Sequence, residues 1–209
     1  MVVQNKQRDK SSICSEFELD ENLKTILVFG GSQGAATINK AIKNILTLKK
    51  IPDGTQLLWQ CGKLQYETYM DWLIKAKLKN VHIVPFIDDM WSAYQVAEFC
   101  VCRAGAMSLS ELAIAGLPAL LVPLQSAAGN HQYKNAREME KIGSARLVED
   151  NGMLAHNLLN EITRWIENPQ ELEQMRHKMK QMAQPEAAEK IVIEIEHILN
   201  EKHVWPANS

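Results

Sequence analysis

The chain has 209 residues, 46% of them hydrophobic and 23% charged, with a formal net charge of −2. A chain of this size and composition can bury a substantial core without disulfide or metal staples. The near-neutral balance gives no electrostatic footprint for nucleic acid, and no such partner is expected.

Residues 1–22 read as a loosely ordered N-terminal leader. They open on the polar stretch MVVQNKQRDKSS, which lacks the apolar core of a secretion signal. From residue 24 onward, apolar runs alternate with helical patterns. TILVFG (25–30) reads as a buried strand followed by a helix over 36–48, and TQLLWQCG (55–62) as a strand followed by a helix over 64–78. VHIVPF (81–86) precedes a short helix near 89–96, and EFCVCR (98–103) precedes a helix over 107–115. PALLVP (118–123) precedes a helix near 131–142, and SARLVE (144–149) is the sixth strand. Strands this apolar, alternating with helices, imply a parallel sheet covered on both faces. After residue 153 the strands stop, and helices are expected over 154–167, over 170–183 and from Pro185 onward.

Two features resemble other things. Residues 112–130 carry no charge, but Gly116, Pro118, Pro123, Gln125 and Ser126 break the run, which argues against a membrane span. Cys14, Cys61, Cys100 and Cys102 form no CxxC, so free thiols in a reducing compartment are expected.

In a parallel sheet, ligands sit outside the carboxyl ends of the strands. Four strand-to-helix turns share that rim: GGSQGA (30–35), PFIDDM (85–90), RAGAM (103–107) and PLQSAAGNHQ (123–132). In the first, Gly30, Gly31 and Gly34 fit either a plain tight turn or a phosphate cradle beside a helix start, with Ser32 offering a hydroxyl. It has neither the Lys and spacing of a Walker loop nor a GxGxxG fingerprint. RAGAM holds Gly105. The SLSE that follows (108–111) fits a capping box, or a site in which the Met107 and Ser108 amides face a diphosphate and Glu111 accepts two ribose hydroxyls. NHQYKNA (130–136) gathers His131, Gln132 and Asn135, either as sugar contacts or as a polar first turn capped by Asn130. In PFIDDM, Ile87 offers an apolar side chain and a backbone edge to a flat base, while Asp88 or Asp89 caps the next helix.

Taken together, GGSQGA, PFIDDM, CRAGAMSLSELAIAGLPALLVPL and NHQYKNA resemble the carboxyl-terminal half of the MurG transferases, glycosyltransferase family 28 of the GT-B superfamily. The resemblance covers roughly residues 24–200 and preserves the spacing of all four motifs. It implies an α/β fold, a Rossmann-like doubly wound parallel sheet, forming a single GT-B carboxyl-terminal domain over 23–209 with extra C-terminal helices. It implies that the domain binds UDP-GlcNAc for transfer to lipid-linked MurNAc-pentapeptide. Ser32 and Gln33 would border the phosphates, the Ile87 backbone would hold uracil, and Met107 and Ser108 would present the phosphate-binding helix start. Glu111 would take the ribose hydroxyls, and His131, Gln132 and Asn135 would surround the GlcNAc and diphosphate.

The reaction implied is inverting glycosyl transfer from an α-linked donor. Helix N-termini would stabilise the departing diphosphate, and no cofactor is expected. No Asp-x-Asp motif at a strand end argues for bound Mn²⁺.

The family's acceptor-side GGH loop does not occur in this sequence. The family also has an arginine in a GNPVR-like stretch, for which residues 1–22 offer no clear equivalent, and Arg8 is not assigned to that role. The general base is therefore unassigned. The resemblance implies an acceptor-binding domain on another chain or lost, and a cytoplasmic location at the inner membrane face through that partner. Two other readings fit the same motifs: a non-catalytic UDP-sugar-binding module, or the donor domain of another GT-B enzyme such as a glycolipid synthase or a UDP-GlcNAc 2-epimerase relative.

Overall fold

The computed structural model describes residues 8–31, 33–48, 51–124 and 130–183. Six parallel strands form one sheet: β1 (Lys24–Phe29), β2 (Thr55–Gln60), β3 (Val81–Val84), β4 (Ala97–Cys102), β5 (Ala119–Leu121) and β6 (Ala145–Leu147). Their spatial order is β3-β2-β1-β4-β5-β6, the doubly wound arrangement whose direction reverses between β1 and β4. In register, Leu27 pairs with Leu58 on one side and Cys100 on the other.

All six expected strands are present, and several end earlier than their apolar runs. In VHIVPF, pairing stops at Val84 because Pro85 has no N–H to give the ladder. Pro118 and Pro123 flank the three paired residues of β5 in the same way.

Helices α2 (Ala36–Thr47), α3 (Tyr66–Ala76), α4 (Met90–Val96), α5 (Ala106–Ala115) and α6 (His131–Ile142) follow the first five strands. Helices α7 (Leu154–Glu167) and α8 (Pro169–Gln181) follow β6. Alternate strand residues point to opposite faces, which divides the core in two. Ile26, Val28, Trp59, Phe99 and Val101 pack with Ile38 and Ile42 of α2 and with Leu158, Ile162 and Trp165 of α7. The Trp165 ring stands edge-on to Phe99, centroids 5.1 Å apart. Leu27, Phe29, Cys100 and Cys102 pack on the other face with Tyr94, Leu112 and Met139. All four cysteines are free and buried. Arg176 of α8 donates to the backbone carbonyl of Glu98 at 3.0 Å and ties the last described helix to the sheet. The helix expected from Pro185 lies outside the described residues.

The leader departs from expectation. Helix α1 (Lys10–Glu16) is capped by Asp9, whose side chain accepts from the Ser12 amide. Its Ile13 and Cys14 are buried in the second core, beside Val96 and Ala97. Two apolar residues in a polar stretch gave too little periodicity to reveal this helix, which depends on packing against α4. Residues 1–7 lie outside the described residues.

Ile13→Ala should therefore cost about 2–5 kcal/mol, the range for emptying a buried aliphatic site. Urea unfolding measures this. A loose leader would give a change within about 0.5 kcal/mol, as exposed sites do.

Candidate functional site

The reversal between β1 and β4 opens a crevice at the carboxyl end of the sheet. The chain turns after β1, β4 and β5 at one edge of the sheet, where these strands are neighbours. Each turn leads into a helix whose start has no side-chain cap: α2 at Ala35, α5 at Gly105 and α6 at Asn130. The first intrahelical bonds are Asn39 to Ala35 at 2.8 Å in α2 and Leu109 to Gly105 at 3.0 Å in α5. The amides ahead of them lie at the positive ends of their helix dipoles, an arrangement that attracts anions.

The glycine turn is built for close approach. A side chain at Gly30 would run into the Ala35 backbone. Gly34 has φ +76° and backs onto the Cys61 carbonyl, so both its conformation and its space require glycine. The Gly31 carbonyl accepts from Gln60 Nε2 at 2.9 Å, and Gln33 is exposed. Ser32 lies outside the described residues. At Gly105 the backbone is extended and a Cβ would meet nothing within 4 Å, leaving open space in front of the α5 start.

The capping box expected at Ser108–Glu111 does not form. Helix α5 begins at Ala106 with Gly105 in the cap position, so Ser108 already lies inside the first turn. This frees Glu111 from backbone duty. Its Oε2 instead accepts from the Tyr94 hydroxyl at 2.8 Å. Burial, then the negative charge of Glu111, pushes the Tyr94 phenol far above its ordinary value, which keeps it a donor. Met107, at the same helix start, is 78% exposed.

Asn130 also fails to cap as expected. It sits in the left-handed region at φ 55° and makes no side-chain cap bond. His131 is exposed at the start of α6. Gln132 and Asn135 do share a face, and each has one end engaged: Gln132 Oε1 accepts from the Leu124 amide at 3.0 Å, and Asn135 Nδ2 donates to the Ala104 carbonyl at 3.1 Å. These bonds hold the first turn of α6 against the β4 and β5 ends.

Ile87 differs from its expected presentation. Its side chain is 3% exposed, and its amide donates to Gln60 Oε1 at 3.0 Å. A base edge seeking that amide meets one already engaged. Asp89 caps α4 as expected, accepting from the Ser92 amide at 3.1 Å. Its carboxyl is held below the usual range, chiefly by the Ser92 hydroxyl. Arg8 reaches the same place, donating to Ser92 Oγ at 3.0 Å and pairing with Glu16 and Asp89.

Three rim residues escaped the sequence reading. Gln60 bridges the glycine turn and the Ile87 turn through its two amide ends. Arg103 donates to Asp150 Oδ2 at 2.8 Å, to the Val122 carbonyl at 3.0 Å and to Thr37 Oγ1 at 2.8 Å. Thr37 in turn donates to Asp150 at 2.7 Å. This cluster joins the first turn of α2 to the ends of β4, β5 and β6. The third is Tyr94. Arg103 stood inside the quoted RAGAM turn, but its partners are 66 and 47 residues away along the chain, beyond any local pattern.

A cavity of about 790 Å³ lies elsewhere, among α1, α4, the C-terminal end of α5 and α8. Among the described residues, no group of three or more His, Cys, Asp or Glu is placed to hold a metal ion. No described helix is long and apolar enough to cross a membrane.

A doubly wound, all-parallel sheet with helices on both faces defines a Rossmann-like α/β domain. The chain belongs to the glycosyltransferase family 28 C-terminal domain family, whose model matches residues 25–191. A relative from Finegoldia magna, a UDP-N-acetylglucosamine–N-acetylmuramyl-(pentapeptide) pyrophosphoryl-undecaprenol N-acetylglucosamine transferase, is 30% identical over 93% of this chain and 52% of its own length. The enzyme of the same name from Azotobacter vinelandii is 38% identical over 80% of this chain and 47% of its own. The crystal structure of Acinetobacter baumannii MurG matches with a TM-score of 0.73 and 34% identity, over 88% of this chain and 53% of that one. The chain thus spans about half the length of the curated relatives it matches. A UDP-GlcNAc 2-epimerase from Neisseria meningitidis has a TM-score of 0.63 at 17% identity, a likeness of fold alone.

The Arg103–Asp150 pair is 14% and 12% exposed. Asp150→Ala strands a nearly buried guanidinium and should cost about 3 kcal/mol. Thr37→Val should cost about 1 kcal/mol. Because the three side chains share one network, the double variant should lose less than the two single losses combined, as read by urea unfolding.

Proposed function

We propose that this chain is the donor-binding half of an inverting N-acetylglucosaminyltransferase that uses UDP-GlcNAc to glycosylate the lipid-linked MurNAc-pentapeptide of peptidoglycan synthesis. Residues 23–209 form its nucleotide-sugar-binding domain. The observation that carries this reading is the set of uncapped helix starts around the β1/β4 reversal, with Glu111 one turn inside α5. The family membership and the names of the relatives support the same donor and acceptor.

The chemistry follows from charge. When the acceptor hydroxyl attacks the anomeric carbon, the bond to the diphosphate breaks and negative charge grows on the leaving oxygen. Fixed N–H groups at the starts of α2 and α5 meet that charge without reorganising. The amides of Met107 and Ser108 and the turn at Gly30–Gly34 face the phosphates, with Ser32 and Gln33 at their border. Glu111 accepts the ribose hydroxyls, a carboxylate having acceptor sites for both. The free ends of Gln132 and Asn135, with exposed His131, surround the sugar. The general base comes from an acceptor-binding domain outside this sequence. That domain brings the chain to the inner face of the cell membrane, where the lipid-linked acceptor is met.

Calorimetric titration with UDP-GlcNAc tests the reading. Saturable binding is expected, with affinity lowered about 10- to 100-fold in Glu111→Ala, the loss of hydrogen bonds to a charged acceptor. UDP-Gal should bind more weakly. No saturable binding of UDP-GlcNAc, or unchanged affinity in Glu111→Ala, would contradict it. Preference for UDP-Gal would move the chain to a glycolipid synthase.

A further inference from the structure

We propose that Tyr94 is a positioning residue that aims the Glu111 carboxylate at the ribose of the bound nucleotide, an inference that rests on the donor-site reading above. Glutamate is a long, flexible side chain. Left free on a helix surface it samples many rotamers and must be ordered whenever a ligand binds. Here its Oε2 is already held by the Tyr94 hydroxyl at 2.8 Å.

Tyr94 is well suited to the task because it is buried and packed in the second core. Its ring is 4% exposed and packs on Phe29, with centroids 6.1 Å apart and planes at 55°. Phe29 is the last residue of β1, directly before Gly30. Tyr94 itself stands on α4, the helix entered from the turn that carries Ile87. One buried phenol therefore links three parts of the rim: the strand leading into the glycine turn, the helix after the Ile87 turn, and the carboxylate on α5.

The hydrogen-bond count leaves room for the ligand. An ionised carboxylate offers about four lone-pair sites. Tyr94 takes one on Oε2, which leaves both oxygens able to accept from a vicinal diol. With its plane pinned by Tyr94, the carboxylate meets the two hydroxyls without a further ordering cost, so the tyrosine contributes affinity although it touches no ligand atom.

The test uses Tyr94→Phe and Glu111→Gln, each titrated by calorimetry with UDP and with 2′,3′-dideoxy-UDP, a nucleotide that has no ribose hydroxyls. Tyr94→Phe keeps the buried ring and should stay folded, as its circular dichroism and unfolding midpoint will report. It should bind UDP about 5- to 10-fold more weakly, the cost of ordering one released glutamate side chain on binding. Its affinity for dideoxy-UDP should match that of the unaltered chain, because that ligand never calls on the carboxylate. Equal losses for both nucleotides would mark a general packing effect and overturn the proposal, as would unchanged UDP affinity. If Glu111→Gln weakens UDP selectively while Tyr94→Phe does not, only the positioning role fails. If Glu111→Gln leaves UDP binding intact, the ribose reading of Glu111 fails and the role of Tyr94 fails with it.

Discussion

A parallel sheet imposes one direction on everything attached to it. Each strand ends at the same edge, so the helix that follows must begin there, with its unpaired amides and the positive end of its dipole along one rim. Most proteins blunt such starts with a capping Ser, Thr, Asp or Asn. Here α2, α5 and α6 begin at Ala35, Gly105 and an Asn130 that makes no cap bond. Among the described helices only α1 and α4 carry a side-chain cap, from Asp9 and Asp89, and α3, α7 and α8 start uncapped as well. What sets α2, α5 and α6 apart is their place beside the strand-order reversal. Where the strand order reverses, these unpaired amides converge, and a diphosphate would supply acceptors to several of them at once.

Amides are useful for this only if they are held still. The chain anchors its rim with side chains that bond to the backbone or to one another across elements. Gln60 spans the glycine turn and the Ile87 turn, Asn135 holds the β4–α5 turn, and Gln132 holds the end of β5. Arg103, Thr37 and Asp150 bind the first turn of α2 to three strand ends. Arg103 looks like a phosphate ligand by position, but its charge is matched by Asp150 in a nearly buried pair. What this position offers an anion is oriented backbone N–H groups rather than an unpaired guanidinium.

The fold was legible because its signal is local. Val, Ile, Leu and Phe runs such as ILVF in β1 mark a strand buried on both faces, and their alternation with helical patterns defines a parallel sheet. The positions of the site turns follow from the same alternation. The polar wiring was not legible, since a Tyr94–Glu111 or Arg103–Asp150 bond depends on which helices the sheet brings together. The Ser108–Glu111 spacing even pointed the wrong way: a capping box needs the helix to start after Ser108, whereas tertiary packing starts it at Ala106. Helix α1 was missed for a related reason, since two buried residues, Ile13 and Cys14, anchor it through contacts distant in sequence. The likeness to family 28 rested on four turns in order, a longer-range pattern than any one of them carries.

The central claim is that a nucleotide diphosphate sits against the uncapped starts of α2 and α5. Hydrogen–deuterium exchange with and without saturating UDP-GlcNAc tests it most directly. The account predicts slowed exchange confined to the amides at the starts of α2, α5 and α6 and to the turns before them, with none in α8. Protection confined to α1, α4 and α8, around the 790 Å³ cavity, would place the ligand elsewhere and contradict it.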